Sequence, residues 1–268
     1  MTVAIAAAGL LSAVPAFALG EQSKFVVAQV QYRGGNWAPR PSAPKRLMWE
    51  VIKRTSVDAA LDSVSVRPDD PAIFARPFLY MSGDEEFEPF TDAEVANLRL
   101  FLNSGGTLLA DDAGATPGQG FDKSFRLLVK RLFPERPLAA LPADHAVFNS
   151  FYLLDQAYGR TLTNPNIEGI PLANYTPLIY CQNDLGGAWA RDNLGNWEYE
   201  VVPGGERQRE MSFRLGANIV IYALTVDYKK DQVHSPFIQQ RRQHGELPDD
   251  HGFEILVASH TSLRSHSD

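Results

Sequence analysis

The spacing of apolar residues alternates between the pattern of buried strands and the pattern of amphipathic helices along the first half of the chain. Nearly continuous apolar runs predict strands at 24–32, 77–82 and 107–110, and a further short strand is expected at 63–67. Apolar positions on one helical face predict the intervening helices, at 43–55, 91–105 and 122–133. Strands that alternate with helices of this length favour an α/β fold with a mostly parallel sheet covered on both faces.

One segment of this pattern has well-marked boundaries. Thr91 can accept the amide of Glu94 while the Glu94 carboxylate reaches back to Thr91, and Gly105 suits the left-handed residue that ends a helix. The buried strand that follows ends at Asp111 and Asp112. Because ligands of open α/β sheets bind outside the carboxyl ends of the strands, the sequence predicts a site at these two aspartates.

The second half of the chain is less regular. Short apolar runs and Asn, Gly and Pro clusters at 138–206 predict an irregular, hairpin-rich insertion with one good strand at 177–181, and its aromatic content argues against disorder. A mostly apolar helix is expected at 211–228. The polar end, without periodicity, predicts a flexible tail at 240–268, so a single domain is expected at 25–230.

Composition and charge exclude some partners. The chain has 268 residues, of which 44% are hydrophobic, enough for one large core, and its net charge is −7. An acidic chain without a basic, aromatic-rich run has no general attraction for phosphate backbones. Nucleic acid is therefore not expected as a partner.

The first 20 residues are apolar and uncharged and reach Ala16-Phe17-Ala18, a small-x-small sequence of the kind that signal peptidase recognises. We expect a signal peptide at 1–18, a periplasmic or secreted protein, and no stable membrane span once the signal is cleaved. An uncleaved anchor is the alternative, although Gly9, Ser12 and Pro15 interrupt it. A wrongly assigned start is the third.

The acidic residues at the predicted strand ends allow two interpretations each. Asp111 and Asp112 are adjacent, so on a strand only one of them can face a cleft while the other caps a turn. These aspartates could bind a ligand or a metal ion, or they could stabilise a loop or cap a helix. Asp84 follows the preceding strand and could add a second carboxylate, or it belongs to a solvated acidic loop.

His145 and Cys181 are the residues with the most reactive side chains. His145 is the only histidine between 25 and 230, and it suits proton transfer, metal binding or a structural hydrogen bond equally. Cys181 ends a predicted strand between Tyr180 and Gln182, with no helix expected after it. A buried strand residue fits this context better than a nucleophile, which normally lies on a tight strand-to-helix turn. As the only cysteine, it can form no disulfide within the chain.

Other polar residues are expected at the same edge of the sheet. Arg33, Asn36 and Trp37 follow the first strand, and Asn183 and Asp184 follow the strand at 177–181. Aromatic rings beside amide and acid groups suit a sugar or peptide surface. The turn-forming chemistry of Asn and Asp explains several of these residues equally well.

Together these segments resemble the bacterial DUF4159 family, a domain of unknown function. The resemblance covers about 25–228 and rests on several segments, at 32–37, 79–83, 101–112, 145–152 and 183–184. It implies a flavodoxin-like three-layer sandwich, similar to class I glutamine amidotransferase-like and ThuA-like domains, and members that are elsewhere fused to membrane proteins of the aerotolerance-operon type. Tyr152 is also expected to bind the ligand, because it lies in the matching segment at 145–152.

The resemblance does not imply a reaction, because Asp111 and Asp112 stand at the strand end where an amidotransferase has its cysteine. The leading hypothesis is an exported protein, without a cofactor, that binds a small polar ligand, such as a carbohydrate or envelope component, or a protein partner. A hydrolase in which Asp111 or Asp112 acts with His145, with or without a metal, is the first rival. A structural subunit of an envelope complex, docking through Trp189 and Trp197, is the second.

Overall fold

The computed structural model describes residues 24–172 and 175–243, and within them a single sheet forms the centre of the fold. Its strands are β1 Ala28–Val30, β2 Val64–Val66, β3 Phe78–Gly83, β4 Thr107–Asp112, β5 Ala139–Ala140, β6 Glu168–Leu172 and β7 Tyr175–Cys181. Their order across the sheet is β2-β1-β3-β4-β7-β6-β5. The first five in this order run parallel, and β6 and β5 complete the edge in antiparallel orientation. The predicted α/β class with a mostly parallel sheet is confirmed.

Helices cover both faces of the sheet and make it the middle of three layers. They are α1 Ala43–Arg54, α2 Asp92–Asn103, α3 Gly120–Leu132, α4 Leu185–Trp189 and α5 Gly205–Gln243. Strand residues alternate between two hydrophobic clusters: Tyr80 faces the cluster of α1, α4 and α5, whereas Leu79 and Met81 face that of α2 and α3. This three-layer arrangement is consistent with the expected flavodoxin-like sandwich.

The boundaries of the three helices predicted in the first half of the chain are close to the observed ones. Thr91 Oγ1 accepts the Glu94 amide at 3.2 Å and Glu94 Oε2 accepts the Thr91 amide at 2.6 Å, so the expected capping box is present. Gly105 has φ 101°, the left-handed conformation predicted for it. The helices predicted at 43–55 and 122–133 differ from α1 and α3 by two residues or fewer at each end.

Elements that depend on pairing rather than on periodicity differ more from the prediction. The first strand is limited to Ala28–Val30, with an isolated bridge from Phe25 to Ala59. The insertion does contain a hairpin, formed by β6 and β7. Helix α4 follows Cys181 where no helix was expected, and α5 runs from Gly205 to Gln243 rather than over 211–228.

The predicted signal peptide at 1–18 lies outside the described residues, as does the predicted tail at 240–268 except for 240–243. Those four residues are helical and belong to the end of α5, which corrects the prediction there. In the described part of the chain, no helix combines the length and apolar character needed to cross a membrane.

Thr91→Ala is expected to lower the free energy of unfolding by about 1 kcal/mol, because the amide of Glu94 loses its cap. Thr91→Ser keeps the hydroxyl and is the matched control, with a smaller loss. Urea denaturation of both variants measures the difference. Equal losses would show that the hydroxyl does not stabilise α2.

Candidate functional site

The carboxyl ends of the parallel strands meet at one edge of the sheet, and the predicted acidic residues gather there. Ser82 and Gly83 at the end of β3 lie in register with Asp111 and Asp112 at the end of β4. Asp111 is in turn in register with Cys181 at the end of β7. Asp84, the aspartate pair and the residues after Cys181 therefore lie on neighbouring strand ends, as the sequence predicted.

The Asp111 side chain is fully buried and its carboxylate is occupied by internal donors. Tyr80 Oη donates to Oδ2 at 2.8 Å, the Leu185 amide donates to Oδ1 at 2.8 Å, and the Gly186 amide donates to Oδ2 at 2.8 Å. Burial, together with the negative charge of Asp184, raises the pKa of Asp111 above its usual range. Asp111 thus fastens the first turn of α4 to β4 and presents no oxygen to a ligand.

Asp184 forms the turn between β7 and α4. Its backbone is left-handed, with φ 53° and ψ 66°, and its buried carboxylate accepts the Gly187 amide at 2.8 Å. Arg40 Nε and Nη2 donate to the two carboxylate oxygens at 3.2 and 2.9 Å, and Arg160 Nε also donates to Oδ2. A side chain at Gly187 would collide with this carboxylate, so a glycine is required there. We call Arg40, Asp184 and Arg160 the buried ion-pair network.

The buried ion-pair network contains residues that the sequence analysis missed. Arg40 lies 144 positions from Asp184 along the chain, and Arg160 lies 24 positions from it in the irregular insertion. No pattern in the sequence marks either arginine. The run Asn183-Asp184-Leu185-Gly186-Gly187 was a usable signal for α4, because an aspartate cap followed by small residues suits a tight strand-to-helix turn.

Asp112 lies on the other side of the strand and retains an oxygen without a partner. Its Oδ1 accepts the Gly114 and Ala115 amides at 3.0 and 3.2 Å, whereas its Oδ2 is buried and unbonded among the described residues. The residue is 1% exposed. Burial raises the pKa of Asp112 to about 6, and the negative charge of Asp122 adds to this effect.

Asp84 also keeps a buried carboxylate oxygen without a partner, its Oδ1. Its Oδ2 lies 3.5 Å from the Asn36 amide nitrogen, which comes from the loop after β1. The Asp84 backbone lies close to the Asp112 carboxylate, because a side-chain carbon at Gly114 would lie 3.5 Å from Asp84 Cα and 3.3 Å from Asp112 Oδ1. We call Asp84 and Asp112, with the exposed Asn36 beside them, the carboxylate rim.

The remaining predicted binding residues at this edge have other surroundings. Arg33 is exposed and lies 3.4 Å from Glu94 Oε2, on the α2 side. Trp37 is half-buried against the cluster of α2 and α3, next to Asn36 in the chain. Asn183 is fully buried and its amide nitrogen donates to the carbonyls of Ala157 and Asn164 at 3.2 and 2.7 Å, so it holds the insertion in place.

His145 lies at the opposite end of the sheet from the aspartates. Its Nε2 is 3.0 Å from Thr176 Oγ1, near the start of β7, and its Nδ1 accepts the Val147 amide at 3.2 Å. From Thr176 to Cys181, next to Asp111, is five strand residues, about 17 Å. Burial lowers the pKa of His145. The expectation that His145 shares a rim with the acids is therefore wrong, and it takes the structural hydrogen-bonding role.

Tyr152 is also separated from the strand ends. Its amide donates to Asn218 Oδ1 of α5 at 2.7 Å, and its ring packs against the cluster of α1, α4 and α5. Asn218 also donates to the carbonyl of Val147, two residues after His145, so Tyr152 lies near the His145 end of the sheet. The structure does not bring Tyr152 to the carboxylate rim.

Cys181 is fully buried, and burial raises the pKa of its thiol well above its ordinary value. A helix does follow this strand, which corrects the expectation that none would, yet the residue on the turn is Asp184 and not the cysteine. A thiol kept protonated and away from solvent is a poor nucleophile. The interpretation as a buried strand residue fits the structure.

A metal site at the strand ends needs at least three suitable side chains in one place. Across 24–172 and 175–243, no group of three or more His, Cys, Asp or Glu residues is arranged to hold a metal ion.

Comparison with known proteins assigns the chain to a family. The family model described as domain of unknown function (DUF4159) matches residues 26–224, which include β1 to β7 and most of the buried part of α5. The chain therefore belongs to the DUF4159 family. No curated protein matches the chain.

Asp184→Asn is expected to lower the free energy of unfolding by about 3–5 kcal/mol, because it leaves the Arg40 and Arg160 charges without their buried partner. Asp69→Asn is the matched control, since Asp69 pairs with Arg67 at 3.0 Å on the surface. Its loss is expected to be much smaller. Denaturant titration measures both, and similar losses would contradict the stabilising role of the buried ion-pair network.

Asp112→Asn is expected to change how stability depends on pH. Since the pKa of Asp112 is raised from 3.8 to about 6, the folded protein holds a proton that the unfolded chain has released. The stability due to this proton is present below about pH 4 and is lost as the pH rises through about 6.

Relative to wild type, Asp112→Asn should therefore gain on the order of 2–3 kcal/mol between pH 4 and pH 7. Urea denaturation at a series of pH values measures this difference, with Asp62→Asn on the exposed surface as the control. A constant difference between Asp112→Asn and wild type would contradict the raised pKa.

Proposed function

We propose that this DUF4159 protein binds a small polar ligand at the carboxylate rim, and that it does so after export to the periplasm or the cell exterior. The ligand class is one that carries hydroxyl or ammonium donors, such as a carbohydrate or another envelope component. The export part of the proposal rests on the apolar segment and the Ala16-Phe17-Ala18 sequence at the start of the chain.

The unbonded carboxylate oxygens are the observation that carries this proposal. Asp84 Oδ1 and Asp112 Oδ2 are both buried without a partner among the described residues. A buried acceptor without a donor costs on the order of 1–3 kcal/mol, and more when it is charged, so native proteins rarely keep one without a reason. Hydroxyl or ammonium groups of a ligand would supply the missing donors.

The neighbouring residues suit the same ligand class. Asn36 is exposed and lies beside Asp84, where its amide can both donate and accept. Trp37, next in the chain, is half-buried against the cluster of α2 and α3, and the exposed part of its ring is an aromatic surface of the kind on which sugar rings pack. These groups come from the loops after β1, β3 and β4, which is the usual position of ligands in open α/β sheets.

The arrangement favours binding over hydrolysis. The rival reaction needs Asp111 or Asp112 to act with His145, and His145 lies at the other end of the sheet beside Thr176. Asp111 has no free oxygen, because three internal donors occupy it. Cys181, the remaining candidate nucleophile, is buried with a raised pKa.

Asp84→Asn is the variant that tests the proposal. It removes the negative charge and replaces one carboxylate oxygen, which would accept a hydrogen bond from the ligand, by an NH2 group that can only donate. The probes are glucose, N-acetylglucosamine and ethanolamine, each titrated while the Tm of the protein is followed. We expect at least one probe to raise the wild-type Tm saturably. Asp84→Asn should bind that probe at least about tenfold more weakly, the cost of one charged hydrogen bond.

Asp62→Asn is the control for this experiment, since Asp62 is exposed and pairs with Lys45 away from the rim. It should keep the wild-type affinity. The absence of a saturable shift with every probe, or the same weakening in the control, would overturn the proposal. Turnover of a probe by the wild-type protein would show that the protein is an enzyme and would overturn the proposal of a binding protein.

A further inference from the structure

Three arginines converge on the ring of Trp197, in the segment between α4 and α5. The guanidinium carbon of Arg191 lies 3.6 Å from the ring centroid, that of Arg209 lies 4.1 Å away, and that of Arg46 lies 5.9 Å away. Arg46 belongs to the first turn of α1 and Arg209 to α5, so three separate parts of the chain meet at this ring. We call Arg46, Arg191 and Trp197 the arginine cluster.

The positive charges at this ring are only partly balanced. Arg209 donates to Glu206 Oε1 at 3.0 Å and to the carbonyl of Ala188 at 2.7 Å. Arg46 pairs with Glu50 at 2.6 Å through a terminal nitrogen. Arg191, in contrast, has no carboxylate partner among the described residues. Its charge is therefore not neutralised by any carboxylate of the described residues.

Two donors of the arginine cluster are also unused. The Nε atoms of Arg46 and Arg191 are both buried and have no hydrogen-bond partner among the described residues. Burial lowers the pKa of Arg46, and the positive charge of Arg191 lowers it further. Two guanidinium groups that repel each other and keep unbonded N–H groups are suited to an acceptor that carries negative charge.

The acidic residues nearest to Arg191 in sequence are engaged elsewhere. Glu198 accepts the Ser42 hydroxyl at 2.6 Å, while the same hydroxyl accepts the Arg191 amide at 3.2 Å. Asp192 accepts the Leu194 and Asn196 amides at 2.9 and 2.8 Å within its own turn. Neither Glu198 nor Asp192 therefore forms an ion pair with the Arg191 guanidinium.

From these observations we propose that the arginine cluster binds an oxyanion, the phosphoryl or carboxylate group of a small ligand, between Arg46 and Arg191. Guanidinium groups present two parallel N–H donors that match the oxygens of both anions. This site is separate from the carboxylate rim, which would attract donors rather than anions. The positive charge of the arginine cluster is a local feature, because the chain as a whole carries a net charge of −7.

An aromatic surface adjoins the proposed site. Trp49 is 40% exposed, with the Arg46 guanidinium carbon 4.0 Å and Lys53 Nζ 4.8 Å from its ring centroid. A sugar or planar group attached to the oxyanion can contact the exposed part of this indole, next to a further positive charge. The ligand class is therefore an anionic small molecule with an apolar or ring-shaped body.

Titrations of inorganic phosphate and acetate into the full chain test the proposal, with sodium chloride at equal ionic strength as the reference. We expect phosphate or acetate to raise the Tm saturably beyond the effect of chloride. Arg191→Gln should weaken that binding at least about tenfold, the factor typical of one charged hydrogen-bonding group. A preference for phosphate identifies a phosphoryl ligand, and a preference for acetate identifies a carboxylate ligand.

Arg207→Gln is the matched control, because it removes one exposed arginine of α5 outside the arginine cluster. It should bind the anion like wild type. Arg191→Lys keeps the charge without the paired donors and gives a readout if Arg191→Gln does not fold, with binding between those of wild type and Arg191→Gln. Equal weakening by Arg207→Gln, or no saturable effect of either anion on wild type, would overturn the site.

Discussion

The buried carboxylate of Asp184 is the constraint on which the functional edge of this protein depends. A charge removed from water has to be balanced in place, and Arg40 and Arg160 provide that balance. Arg40 precedes α1 and Arg160 belongs to the insertion before β6, so one side chain fixes two loops against the turn between β7 and α4. The backbone of Asp184 accepts a left-handed conformation at this turn because the two arginines and the Gly187 amide hold its side chain.

This arrangement also explains why Asp111 is not a ligand-binding residue. The amides at the start of α4 point to the place where an α/β fold commonly receives an anion, and here the Asp111 carboxylate occupies that place. Because the Asp111 carboxylate already binds these amides, the middle of this sheet edge has no room for an external anion. Polar groups without internal partners remain elsewhere, at the carboxylate rim and at the arginine cluster.

The two candidate sites are of opposite charge and are linked through the buried ion-pair network. Arg40 packs over the ring of Tyr199 at 4.0 Å, and the Tyr199 carbonyl accepts Arg209, which in turn packs on Trp197. On the other side, Arg40 donates to the carbonyl of Ala113, next to Asp112. The buried ion-pair network thus lies between one surface that lacks donors and another that lacks a counter-charge.

The sequence by itself determined the elements whose signals are local. The capping box at Thr91 placed α2, apolar runs placed β3 and β4, and their alternation with helices predicted the parallel sheet and hence a shared edge for Asp84, Asp111 and Asp184. Only the tertiary structure decided which of these carboxylates stay available. Arg40 and Arg160 reach Asp184 from positions 144 and 24 residues away, and the path of the insertion carries His145 to the far end of the sheet. Periodicity describes which face of an element is buried, whereas charge pairing and loop paths depend on contacts between distant residues that no local pattern encodes.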